Sequence, residues 1–300
     1  MAFQKRHYFS KGVALINGVE KLIGYDKKTG LIRDGTSEKM LDTFENSSFA
    51  IANFLAGRQQ IAERIAVSLE KNVGFNSDGL FFNKIGLSQH EEKKVLPGER
   101  TIYTANNALM SILYFLLGED KKAEELAENI TQRIGSFYCQ GHRVYRHEPD
   151  KDFFYPFNNL LMGICLSLVN KKRSIGLVKT IEKICFDDKM GLLRGDPKSN
   201  LYFTLDNSLL AIYYQMSGNE KLAEKIVKTI EQTVGFDGNT QLVYRGVLGA
   251  VRLIAIKDSD NTGNIQRGLK KFHPIQDVLT YANSTLAIAY LCLAGNFPKK

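Results

Sequence analysis

The sequence predicts an all-α fold: a closed ring of five helical hairpins, an (α/α)5 barrel, with short β-hairpins on one rim and a single domain over residues 1–300. Three observations predict it. Five apolar segments carry an Asn or Ser near the start and a helix terminator eleven residues later: Asn46 with Gly57, Asn107 with Gly118, Asn159 with Asn170, Asn207 with Gly218 and Ser284 with Gly295. All but the last are followed by an amphipathic segment rich in Lys and Glu. The partner missing after Gly295 stands at the other end of the chain, where residues 10–24 have the amphipathic pattern and no apolar segment before them. These two can pair only if the ends of the chain meet, which makes the array a circle.

Gly and Asn are the residues that tolerate the left-handed conformation closing a helix, and eleven residues make about three turns. The segments between are apolar on nearly every side, so they have neighbours all round and form an inner layer. In the amphipathic segments, such as 58–74 and 219–235, apolar residues recur at three and four, the signature of half-buried outer helices. Each is followed by a recurrent phrase, starting at Gly24, Gly74, Gly135, Cys185 and Gly235, in which a turn separates an aromatic and Asp or Asn from alternating apolar residues. This pattern reads as a β-hairpin. All five fall on the rim where inner helices begin, together with two long links, 84–103 and 247–280. Long loops on a rigid scaffold are where function is usually built.

Composition excludes several classes. With 44% hydrophobic and 24% charged residues, 25 Gly and 6 Pro, the chain is neither disordered nor collagen-like. The longest apolar run, 284–294, falls short of the roughly 18 to 20 residues of a spanning helix, and the N-terminus lacks a leader-like pattern, so no membrane partner and a cytoplasmic location are expected. Four scattered cysteines read as reduced, buried thiols. The net charge of +8, from 40 Lys plus Arg against 32 Asp plus Glu, favours anionic partners, but the lysines form no tract and nucleic acid is not expected. No P-loop, GxGxxG or GxSxG motif occurs, and Cys139 with His142 lacks a second ligand pair, so neither metal nor cofactor is expected.

Three constellations face the rim. The residue before each aligned Asn or Ser is Glu45, Asn106, Asn158, Asp206 and Asn283, so two inner helices carry a carboxylate where the others carry an amide. Helix packing in a five-membered ring allows inward carboxyls to approach within about 6 to 10 Å, the range in which an acid and a base flank a glycosidic bond. An acid in a first turn also interacts favourably with the helix dipole, and Thr43, Thr104 and Thr204 read as N-caps. Arginines end four of the five hairpin phrases, Arg33, Arg146, Arg194 and Arg245, with Phe82 in the fifth and Arg100 nearby. They suit an anion, or pair with local acids such as Asp34 and Glu148. Tyr103, Tyr155, Tyr202 and Tyr281 precede the inner helices and can stack on a sugar ring or pack the rim.

The inner-helix starts at Glu45-Asn46 and Asp206-Asn207, with the phrases at Gly24-Tyr25-Asp26 and Gly235-Phe236-Asp237, resemble the α/α-toroid superfamily of six-hairpin glycosidases, N-acylglucosamine epimerases, polysaccharide lyases and terpenoid cyclases. The resemblance implies a ligand in the central cup, most often a sugar. The Asp-rich and Gln-Trp signatures of the cyclases are absent, and the five histidines, His147 among them, fall in loops or at the N-terminus, unlike the inner-helix histidines of the epimerases. The expected function is a glycosidase or lyase acting on a small anionic sugar or similar acid, with Glu45 and Asp206 as acid and base. Two alternatives stand beside it: a non-catalytic toroid binding an anionic metabolite or a partner protein, and a biosynthetic cyclase or elimination enzyme.

Overall fold

The computed structural model describes residues 2–33, 40–86, 101–169, 171–234, 246–248 and 280–297. Helix α1 (Ala2–Leu22) is followed by strand β1 (Met40–Asp42) and helices α2 (Thr43–Leu55) and α3 (Gln59–Asn72). Strand β2 (Lys84–Gly86) leads to α4 (Thr104–Leu116) and α5 (Asp120–Asn129), the latter ending in a π-helical turn, Ile130–Ile134. Strands β3 (Ser136–Cys139) and β4 (His142–Tyr145) precede α6 (Pro156–Val169) and α7 (Lys171–Cys185). Strands β5 (Phe186–Asp187), β6 (Leu192–Leu193) and β7 (Leu201–Phe203) precede α8 (Thr204–Met216) and α9 (Glu220–Thr233), and β8 (Gly246–Leu248) and α10 (Thr280–Leu293) complete the described elements.

The even-numbered helices are the apolar segments of the sequence, and they are buried almost throughout; in α2 only Phe54 is not fully buried. Four of the expected terminators, Gly57, Gly118, Gly218 and Gly295, have φ between 80° and 90°, the left-handed region. Asn170 lies outside the described residues. Helix α2 packs on α4, α4 on α6, α6 on α8, α8 on α10, and α10 on α2. The outer helices α3, α5, α7 and α9 pair with the inner helix before them and bury one stripe, as with Ala223, Ile226, Val227 and Ile230 of α9.

The first and last described helices meet. Helix α1 lies along α10 so closely that a Cβ on Gly12 would stand 2.8 Å from Leu291 Cγ. The α6–α7 hairpin is as tight, with Val178 Cγ2 2.7 Å from a Cβ at Gly163. Glu231 of α9 accepts from Tyr290 of α10 at 2.5 Å and pairs with Lys11 of α1 at 2.7 Å. Among the described residues no helix is long and apolar enough to cross a membrane.

The aligned asparagines fasten each inner helix to the hairpin phrase before it. Asn46 Oδ1 accepts the Ile32 amide at 2.7 Å, while its Nδ2 donates to the carbonyls of Ile32 and Asp42, both at 2.9 Å. Asn107 holds Phe81 and Tyr103, Asn159 holds Tyr145 and Tyr155, and Asn207 holds Leu193 and Phe203 in the same way. The hairpins themselves form: β3 with β4, β5 with β6, and single bridges at Tyr25–Ile32 and Phe75–Phe81. The phrase at Gly235 lies outside the described residues through position 245.

Two sequence readings need correction. Thr43, Thr104 and Thr204 are first helical residues rather than N-caps, those positions belonging to Asp42, Tyr103 and Phe203. The hydroxyls of the first two instead donate to the next hairpin's exit, Thr43 to the Phe82 carbonyl at 2.7 Å and Thr104 to the Arg146 carbonyl at 2.6 Å. The two long links also do not begin as loops. Their first residues form β2 and β8, which pair antiparallel with β1 and β7, the extended lead-ins to α2 and α8. Those are the two helices that carry Glu45 and Asp206.

Replacing Asn207 by Ala strands the Leu193 amide and carbonyl away from water. The expected loss is about 2 to 4 kcal/mol, seen as a lower urea midpoint at constant slope. Asn219→Ala, at a cap position whose side chain makes no capping bond, is the control and costs under about 0.5 kcal/mol.

Candidate functional site

A cavity of about 420 Å³ opens where the first turns of α2, α4, α6 and α8 converge with the hairpin exits. Its wall is generated by four repeat positions. The residue before each helix supplies Asp42, Tyr103, Tyr155 and Phe203; the second helical residue supplies Phe44, Ala105, Phe157 and Leu205; the third supplies Glu45, Asn106 and Asp206; and the hairpin exits supply Asn83, His147 and Gly195. The third position stands directly before the clamping asparagine, so the clamp that fixes the first turn also fixes the direction of Glu45, Asn106 and Asp206.

Asp206 is 1% exposed, and its Oδ1 has no hydrogen-bond partner among the described residues. Burial raises its pKa well above the ordinary carboxylate value, opposed only by a hydrogen bond from the Phe157 backbone. Glu45 is also buried, on the other acid-bearing helix. Asp42 Oδ1 caps α2 by accepting the Phe44 amide at 2.6 Å. Asn106 Nδ2 donates to Asn83 Oδ1 at 2.7 Å, which ties two wall amides together.

His147 lies face to face with Tyr103 at 4.3 Å, and its Nδ1 meets Nδ2 of the buried Asn158 at 2.8 Å. With the amide nitrogen donating, the neutral ring carries its proton on Nε2. Burial lowers the His147 pKa, while the neighbouring Glu148 acts the other way. Asn158 Oδ1 is buried without a partner among the described residues.

No protein-family model matches the sequence, and no curated protein matches it. Solved structures do match across nearly the whole chain. A β-1,3-1,4-glucanase from Paenibacillus sp. X4 aligns with TM-score 0.63 at 12% identity, over 99% of this chain and 94% of its own. The endo-β-1,4-glucanase CMCax from Acetobacter xylinum aligns with TM-score 0.61 at 10% identity, over 96% and 98%. A D-mannose isomerase aligns with TM-score 0.56 at 13% identity, over 99% and 86%. The chain has the α/α-toroid fold.

Within this toroid, Glu45, Asp206, Asn106, Tyr103 and Tyr155 come together on one cavity wall, as their common rim position implies. Asn158 stands behind it, holding His147. Asn283 is buried in α10, and Tyr281 lies on the same helix. The described rim arginines, Arg33, Arg146 and Arg194, do not line the cavity. Arg146 pairs with Asp152 at 2.7 Å and Arg194 with Asp187 at 2.8 Å, while Arg33 is exposed. Tyr202 is turned the same way, its hydroxyl donating to Asp187 at 2.8 Å. Burial opposes ionisation of Asp187, but Arg194, Tyr202 and two backbone amides hold its pKa at about 2. Arg100 and Arg245 lie outside the described residues.

The cause is a register of one residue. In extended backbone, successive side chains point to opposite sides. With Arg146 and Arg194 turned to rim acids, the next residues, His147 and Gly195, face the cup, as Asn83 does after Phe82. The repeat therefore contained the signal for Asn83 and His147 one position beyond the arginine. His147 sits in a loop, as the sequence predicts, yet the loop brings its ring to the wall, so a loop position is no ground for setting it aside.

Asp206 is more basic folded than unfolded. The stability of the toroid therefore falls as pH rises from the ordinary carboxylate range toward the raised pKa. Asp206→Asn removes this penalty. Its melting temperature is expected to exceed that of the wild type at pH 7 and to converge with it near pH 4 or below, a comparison that calorimetry at the two pH values checks.

Proposed function

We propose that the protein is a carbohydrate-active enzyme of the glycosidase type, formed by one domain whose five inner helices, α2, α4, α6, α8 and α10, close an (α/α)5 ring around the cup. The packing of α10 against both α8 and α2 supports closure. The observation that carries the functional reading is Asp206: a buried carboxyl group whose pKa is raised by that burial and whose Oδ1 has no hydrogen-bond partner among the described residues, on a wall shared with Glu45. Two carboxyl groups facing one cavity are what hydrolysis of a glycosidic bond requires.

In this reading Asp206 gives its proton to the departing glycosidic oxygen as the bond to the anomeric carbon breaks. Glu45 takes a proton from the water that attacks that carbon. Amides of Asn83 and Asn106 and the neutral His147 serve sugar hydroxyls, while Tyr103, Tyr155, Phe44, Phe157 and Phe203 meet the apolar faces of the rings. The step uses no metal or cofactor. The glucanases of the same fold support the class of substrate.

The anionic substrate expected from the arginines is less favoured than a neutral saccharide. Among the described residues the wall carries carboxyls, amides and rings, and no Lys or Arg. Free, mostly buried thiols fit a reducing, cytoplasmic setting.

His147 supports a second reading, aldose–ketose isomerisation, an activity suggested by the name of the D-mannose isomerase of the same fold. One assay separates the two: proton NMR of the purified protein with short oligosaccharides and free aldoses in D2O. Hydrolysis releases new reducing ends without deuterium at carbon, whereas isomerisation of a free aldose incorporates it next to the carbonyl. Glu45→Gln and Asp206→Asn are each expected to lower kcat for hydrolysis by about 10² to 10⁴ with little change in KM. Full activity in either variant removes that residue from the mechanism.

A further inference from the structure

The aromatic wall does not stop at the cavity. Phe157 and Tyr155 line it, their rings 5.4 Å apart and nearly parallel, and Phe153 continues outward with its ring 4.5 Å from Tyr155. Phe153 is not part of the wall, yet it is 41% exposed, and Tyr155 is 37% exposed. Both rings pack edge-on against His147 of the wall, which leaves their other faces beside the cavity mouth open to water.

The segment holding them is rigidly built. Phe154, between the two exposed rings, is turned inward, buried at 7% exposure and packed near Phe137. The Phe153 amide donates to the Lys151 carbonyl at 2.7 Å, and its own carbonyl accepts from the His147 amide at 2.8 Å. Asp150, with φ of 63°, turns the chain so that it returns toward His147. The alternation out, in, out along 153–155 thus aims two rings at solvent from a backbone fixed to the same residue that forms part of the wall.

We propose that Phe153 and Tyr155 form an outer sugar-binding platform, so that the substrate is an oligosaccharide or longer chain extending out of the cavity across these rings rather than a single sugar. The proposal rests on the saccharide reading of the cavity. Continuity of the ring path from Phe157 through Tyr155 to Phe153 selects the occupant: the next unit of a chain already bound inside. A pyranose presents an apolar face of C–H groups to an aromatic ring, and the cations nearest in sequence are engaged elsewhere, Arg146 with Asp152 and Lys151 with Glu148.

The test uses ladders of β-1,4-linked gluco- and xylo-oligosaccharides from two units upward, measuring kcat/KM for each length and binding by calorimetry. The wild type is expected to favour longer chains, and Phe153→Ala to cut that preference of long over short about tenfold. Phe153→Tyr, which keeps the ring, is expected to retain the preference, and circular dichroism checks that each variant is folded. Cleavage with the same length preference in Phe153→Ala overturns the platform while leaving the saccharide reading standing. Failure of the wild type to bind or cleave any member of the ladders overturns this inference, and the retention of activity on free aldoses alone would show that the cavity takes single sugars.

Discussion

The buried asparagine clamp is the interaction on which the remaining architecture depends. An inner helix that is apolar on all sides slides and rotates at little cost, because one apolar neighbour is much like another. The bidentate grip of Asn46, Asn107, Asn159 and Asn207 on one backbone residue of the preceding hairpin phrase removes that freedom. It sets where each helix begins and which side of its first turn faces the centre. Thr43 and Thr104 add a tie to the following hairpin exit, so the rim is a chain of hydrogen bonds running from unit to unit. Buried backbone groups demand partners, and here side chains at fixed repeat positions supply them.

Much of this was legible in the sequence because helix length, terminators and apolar periodicity are local properties. The inner and outer helices follow from them, as does the pairing of α1 with α10, which only the count of repeats could announce. The position before the clamping asparagine was legible for the same reason, and Glu45, Asn106 and Asp206 do share one wall. What local pattern could not supply was the direction of side chains at the hairpin exits. A single-residue register decides whether Arg146 or His147 faces the cup, and it depends on the pleat of a strand only a few residues long. The pairing of β1 with β2 and of β7 with β8 was equally hidden, since three-residue strands carry too little alternation to stand out.

Those two pairings give the toroid an internal relation that the helices alone do not. Helices α2 and α8 each follow a lead-in strand that pairs with the start of the next unit's long link, and each carries a carboxyl group at the third helical position. They are separated by α10, which packs on both and presents an amide at the corresponding place, Asn283. The cup is thus unequal around its circumference. Acid groups rise from two units that share a local construction, and the intervening helix carries an amide at that position. Keeping Asp206 dry costs stability, and the surrounding clamps are what the molecule sets against that cost.

The pairing of α1 with α10 also bears on how the molecule folds. Leu15, Ile16 and Val19 of α1 are buried, and the helix that packs along them lies far along the sequence, at Thr280–Leu293. Until that contact forms, the apolar stripe of α1 lacks its main cover. Bringing two such distant segments together carries a larger loop-closure entropy than folding any one helical hairpin, so this seam is a non-local step in an otherwise local assembly.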